Sequence, residues 1–193
     1  MLFNPRAQFD LAQRLRTPEG VPLGDVFTFL SGLYFRGKLA YAREFARPPR
    51  GVPGVLVITP NEGLRSPDEP LTAERLKRFA RGDIDERKRS YREPLLRDAR
   101  LIAEATGPRL DVVLLGSVAS GKYVDVLTKV FGDRLLFPIT FVGRGDMSRG
   151  GLMLRCVRAG VELEYVPVAT AIRHGPRPPR LPPLRGPGAQ LLP

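Results

Sequence analysis

The chain reads as an α/β protein: a three-layer fold with a mostly parallel central sheet of about four or five strands, flanked by helices and followed by an extended proline-rich tail. Three observations predict this. Short apolar, β-branched runs alternate with longer segments of helical periodicity. Such alternation implies parallel strands, which need crossover helices between them. Residues 175–193 carry too few apolar side chains between their prolines to build a core, so residues 1–174 form the single domain and the rest an extended polyproline-like tail or surface strap.

Residues 1–25 mix polar and apolar positions around the turn signal Thr17-Pro18-Glu19-Gly20, which predicts a short helix and a loop. From Asp25 the residues Val26, Phe29, Leu30, Leu33, Tyr34, Leu39, Tyr41, Ala42 and Phe45 recur at helical spacing. Two helices, or one broken near Arg36-Gly37-Lys38, are expected before Pro48-Pro49-Arg50-Gly51. Gly54 to Thr59 is a continuous apolar run closed by Pro60, the pattern of a strand buried on both faces. Thr72 opens a polar helix to about Arg81. A second helix, from near Pro94 to Ala105, is stopped by Gly107-Pro108. Asp111–Leu115 is the second strand, Gly121–Phe131 a helix, and Leu135–Val142 a third strand whose Pro138 implies an edge or a bend. Ser148 is placed to cap a helix over residues 149–159 ended by Gly160, and Val161–Val168 supplies the fourth strand.

Composition narrows the chemistry. One cysteine excludes an intramolecular disulfide, and one histidine beside it makes histidine and cysteine metal sites implausible, although a carboxylate-held magnesium stays compatible. Cys156 lies on an apolar helical face, where packing explains it. No apolar run is long enough to span a bilayer and the start lacks a secretory signal pattern, so a cytoplasmic protein with no membrane partner is expected. Thirty-one basic against twenty acidic residues give a net charge of +11, mostly as arginine. That excess attracts polyanions whether or not they are the ligand, and arginine usage also reflects genome composition or heat adaptation.

Two loops carry the most chemistry. Gly116-Ser117-Val118-Ala119-Ser120-Gly121-Lys122-Tyr123 follows an apolar strand and opens a helix, a layout that offers backbone N–H groups and a lysine to a phosphate. The spacing resembles a Walker A turn, but Tyr123 stands where serine or threonine would hold magnesium. A different anion-binding turn, or a purely structural strand-to-helix turn, fits as well. The second loop, residues 143–151, places Arg144 and Arg149 as candidate phosphate clamps and Asp146 as a candidate base or magnesium ligand, against a flexible turn with solvated charges. Glu62, just after the first strand, is a candidate catalytic carboxylate or an ordinary turn residue. Tyr34, Arg36 and Lys38 form an aromatic and basic cluster able to stack on and neutralise a nucleotide, or else a surface face beside a helix break. His174, after the last strand, is a candidate proton-transfer group, though a lone histidine is more often hydrogen-bonded or exposed.

Leu33-Tyr34-Phe35 with Lys38 and Tyr41-Ala42, then Val57-Ile58-Thr59-Pro60-x-x-Gly63-Leu64-x-x-Pro67, then Val113-Leu114-Leu115-Gly116, loosely resembles uncharacterised α/β domains of bacteria and phages similar to the uracil-DNA glycosylase type of fold. The resemblance spans roughly residues 27–130. It implies an α/β fold and a leaning toward nucleobases or nucleic acid. No catalytic residue carries over, because the chain lacks a cysteine or serine-lysine segment at the first strand and a water-activating aspartate in the matching motif.

Three functions remain. The first is an α/β protein whose loops 60–67, 116–123 and 143–150 converge on a phosphate-bearing ligand, a nucleotide or nucleic acid, and which processes it if Asp146 or Glu62 does chemistry. The second is a non-enzymatic basic nucleic-acid-binding or scaffold protein using its charge and tail. The third is a divergent P-loop triphosphatase, which Tyr123 argues against. The oligomeric state stays open.

Overall fold

A computed structural model describes residues 1–119 and 121–182. Ser120, one of the candidate binding residues, and residues 183–193 of the tail lie outside the described residues. Six α-helices are described: α1 (Asp10–Arg14), α2 (Leu23–Phe45), α3 (Ala73–Ala80), α4 (Arg89–Thr106), α5 (Gly121–Phe131) and α6 (Asp146–Ala159). Seven short strands accompany them: β1 (Val21–Pro22), β2 (Val57–Ile58), β3 (Leu64–Arg65), β4 (Pro70–Leu71), β5 (Val112–Val113), β6 (Leu135–Pro138) and β7 (Tyr165–Pro167).

The three-layer fold with a parallel sheet of four or five strands is therefore corrected. Strands β1 and β4 pair antiparallel, β2 and β3 pair antiparallel, and the largest sheet among the described residues has three strands in the order β5-β6-β7. Only β5 and β6 are parallel; β7 runs antiparallel to β6. The apolar run at 54–59 does not become a central strand because the chain reverses at once. The Thr59 amide and hydroxyl both donate to the Gly63 carbonyl, at 2.9 and 2.8 Å, and Gly63 has φ +77°. A tight reversal makes an antiparallel hairpin and needs no crossover helix. Pro138 closes β6, a 3-10 turn at Ile139–Phe141 follows, and the chain returns from α6 in the opposite direction.

Several local features follow from single residues. Thr72 caps α3 by accepting from the Arg75 amide at 3.4 Å. Helix α4 begins at Arg89, more than a turn before Pro94, which it carries inside. Helix α6 starts at Asp146 with Gly145 as its N-cap, so Ser148 is helical and caps nothing. The break in α2 falls at Gly32 (φ 55°, ψ −133°) and not near Gly37. A Cβ on Gly32 would meet open space, so only the backbone conformation requires glycine there.

Gly37 serves a different end. A Cβ on Gly37 would press on the Gly150 carbonyl, and one on Gly150 would press on the Leu33 carbonyl, so the backbones of α2 and α6 touch at this pair. Glycine inside a helix costs about 1 kcal/mol relative to alanine. Here it permits a crossing that two Cβ atoms would force apart. The crossing rests on Tyr41, Phe141 and Met153, all fully buried, with Cys156 packed against them. Tyr41 is held in place by its hydroxyl, which lies 2.6 Å from that of Tyr165 and accepts from the Leu163 amide at 2.8 Å. A larger core joins α4, α5 and the β5-β6-β7 sheet through Tyr91, Leu95, Leu127, Leu135 and Phe137, and a third gathers α1, α2 and α3. No described helix is long and apolar enough to cross a membrane.

Candidate functional site

The parallel pair positions two of the three predicted loops together. β5 and β6 point the same way, so the segment after β5 and the segment after β6 leave from one edge of the sheet, the edge where α/β proteins hold ligands. The second half of α2 lies across that edge. The Tyr34 hydroxyl donates to the Leu115 carbonyl at the end of β5, at 3.3 Å. Arg149, on α6, donates through Nε and Nη2 to the Phe141 carbonyl at 3.2 and 3.0 Å, with its guanidinium over the Phe141 ring.

Four predicted side chains and one carboxylate thus gather where α2 crosses α6. Lys38 Nζ sits 4.2 Å from the centre of the Tyr34 ring, one helical turn away on the same face. Asp146 Oδ1 lies 3.8 Å from the Arg149 guanidinium; the arginine side chain is 11% exposed and the aspartate 68%. Burial pushes the Lys38 pKa down; the Asp146 charge works against that push, and the nearby Arg149 adds to it. Burial raises the pKa values of Tyr34 and Tyr123, and Asp146 adds to the rise in both. Lys38 makes no ion pair with a described residue. Two cations therefore share one weak, solvent-exposed counter-charge beside two tyrosine rings. The desolvation of Lys38 is only partly compensated, by Asp146 and the Tyr34 ring, and an anion would compensate it further.

The remaining candidates fall elsewhere. Arg36 is exposed, as its place two residues from both Tyr34 and Lys38 requires, because positions i and i+2 on a helix do not share a face. Lys122 is exposed while its neighbour Tyr123 turns inward. It lines an open depression of about 360 Å³ with Ile84, Asp85, Glu86, Arg87 and Gly121, where acidic groups already answer the basic ones. A second depression, of about 330 Å³ on α4, also lies away from the crossing. Among the described residues, the desolvated, unpaired Lys38 points to the crossing more strongly than either hollow. Gly116 is part-buried and Ser117 Oγ is engaged by the Ala119 amide at 3.4 Å, within the turn itself. Arg144 is committed to structure: it donates to the Thr140 carbonyl at 3.0 Å, to Ser148 Oγ at 3.3 Å and to the Pro179 carbonyl at 3.4 Å.

Glu62 belongs to a separate network. Arg75 donates to it through Nε at 2.8 Å and Nη2 at 2.5 Å, and Arg65 and Arg78 approach at 3.7 and 3.6 Å. Burial works against its charged form, but the hydrogen bond and charge of Arg75, with Arg65 and Arg78 adding, outweigh it and hold the carboxyl below its ordinary range. A carboxylate held ionised by three arginines ties the β2-β3 hairpin to α3 and is a poor general acid. His174 is exposed and makes no hydrogen bond to a described residue that would orient it for proton transfer.

Sequence reasoning missed Gly37 and Gly150 as the pair that brings the cluster together. Their signal was two glycines inside helical patterns, away from any predicted end. No family model, curated protein or solved structure matches this chain.

Proposed function

We propose that this protein binds a phosphate-bearing ligand, a nucleotide or nucleic acid, where α2 crosses α6. The observation that carries this reading is the Lys38 ammonium, desolvated over Tyr34, near Arg149 and without an ion pair to a described residue, with the exposed Asp146 carboxylate acting on both cations. Lys38 and the Nη1 edge of Arg149, which Asp146 approaches at 3.8 Å, would hold phosphate oxygens by charge-assisted hydrogen bonds. Tyr34 and Tyr123 would supply ring faces and hydroxyls beside them. If the ligand is processed, Asp146 is the group placed to take or give a proton. Among the described residues it is the one carboxylate acting on Tyr34, Lys38 and Tyr123, so a magnesium ion there would depend on ligand phosphates for its other oxygens.

The test is thermal unfolding of the wild type and of Lys38→Met with inorganic phosphate, nucleoside mono- and triphosphates and short oligonucleotides. A ligand selective for the folded state raises Tm, by an amount equivalent to about 2.7 kcal/mol at a hundred times Kd. The reading expects one phosphate-bearing class to raise Tm in the wild type and not in Lys38→Met. Equal stabilisation of both proteins by every anion would overturn it.

A further inference from the structure

Residues 174–182 run as an extended strap along the outer side of α6, and their contacts repeat. Pro176 lies against Gly143, the Pro179 carbonyl accepts from Arg144, and the Pro182 carbonyl accepts from Arg155. The three carbonyls are three residues apart, the repeat of a polyproline helix, which rises about 3.1 Å per residue, although the proline rings that carry them stay exposed. Six strap residues from 176 to 182 therefore cover about 19 Å. The strap's partners are Gly143 and Arg144, which precede α6, and Arg155 within it.

The same repeat sets what faces away. His174, Arg177 and Arg180 share the opposite edge at intervals of three, all are exposed, and none pairs with a described acidic residue. We propose that this edge is a docking rail for the backbone of single-stranded nucleic acid. Its side chains are spaced about 9 Å apart on a backbone that proline holds extended before any ligand arrives. Arginine's planar fork suits phosphate oxygens, and a pre-extended strap loses little conformational entropy on binding. The rail deepens the phosphate reading, because α6 carries Arg149 on one side and the strap on another.

The test uses the full chain and the exposed double substitution Arg177→Glu with Arg180→Glu, neither of which makes a contact to lose. A labelled oligothymidylate is titrated across a range of salt. The rail predicts at least a tenfold loss of affinity, and a salt slope shallower by about 1.4 if each arginine meets one phosphate. Nucleoside monophosphate affinity should be unchanged. Lys77→Glu with Arg81→Glu, exposed and unpaired on α3, changes the net charge equally and should lose far less. Equal losses in the two double variants, unchanged binding in the first, or equal competition by polyglutamate would each overturn the rail. Loss of oligonucleotide binding in the strap variant, with Lys38→Met harmless to nucleotide binding, would sink the crossing site while leaving the rail standing.

Discussion

Two stretches of this chain use the same residues to opposite ends. Residues 61–105 hold eleven basic and ten acidic side chains, and Arg65, Arg75, Arg78, Arg87, Lys88, Arg89 and Arg97 all sit in ion pairs. Residues 141–182 hold seven basic and three acidic side chains, and only Arg149 is paired with a described residue, at 3.8 Å. In the first stretch Arg65, Arg75 and Arg78 tie a hairpin to α3 and α4, and the other pairs are local. The second leaves its arginines facing solvent or backbone carbonyls. Pairing, not abundance, separates structural charge from charge that can meet a ligand.

The largest effect should come from breaking the geometry of the second region. Gly150→Val would drive side-chain atoms into the Leu33 backbone, and neither helix can yield without losing the core under the crossing. A cost of about 3 kcal/mol is expected. Chemical denaturation should show it as a lowered midpoint, and nucleotide-induced stabilisation should vanish with it.

In the paired region, Glu62→Gln should cost about 1–3 kcal/mol, because three arginines lose their shared counter-charge in a part-buried network. Ligand affinity should not change. A loss of nucleotide binding comparable to that of Lys38→Met would instead make Glu62 part of the site.

The pH dependence separates the regions further. Glu62 has a lowered folded pKa, so its contribution is complete above the unfolded value of about 4.3 and is lost as pH falls through the folded one. Glu62→Gln should flatten the acid limb of a stability–pH curve. Lys38 behaves oppositely. Its folded pKa is also lowered, but for an amine this means that the folded state binds the proton less well than the unfolded state. Stability should therefore rise as pH climbs toward the ordinary lysine range, and Lys38→Met should remove that rise.

The smallest effect is also the sharpest in sign. At neutral pH Lys38→Met should leave Tm unchanged or slightly higher, since it removes a desolvated charge that no described acidic residue pairs. A clear drop in Tm would show that Lys38 holds the fold together and would weaken its assignment to a ligand.

What was legible in the sequence was local. The bounds of α5 and the Thr72 cap follow from residues within one or two turns. The placement of Tyr34 and Lys38 on one helical face follows from their spacing of four. What was not legible depended on partners far along the chain. The apolar run at Val57-Ile58 has the composition of a central strand, but Thr59 and Gly63 turn it into a hairpin. β7 follows a helix as a parallel strand would, yet it pairs antiparallel with β6. Gly37 looked like a break because glycine weakens a helix; its contact, Gly150, lies over a hundred residues away. The surroundings of Lys122 were hidden in the same way: the turn puts Tyr123 inward and leaves the lysine exposed in a hollow shared with Asp85, Glu86 and Arg87.

The central claim is that the crossing of α2 and α6, and not the glycine-lysine turn, holds the ligand's phosphate. Its most direct test is calorimetric titration of one nucleoside triphosphate into the wild type, Lys38→Met and Lys122→Ala under identical salt. The account predicts at least a tenfold loss of affinity in Lys38→Met and wild-type affinity in Lys122→Ala. Loss in Lys122→Ala with Lys38→Met unaffected would contradict it and return the site to the turn at 116–123.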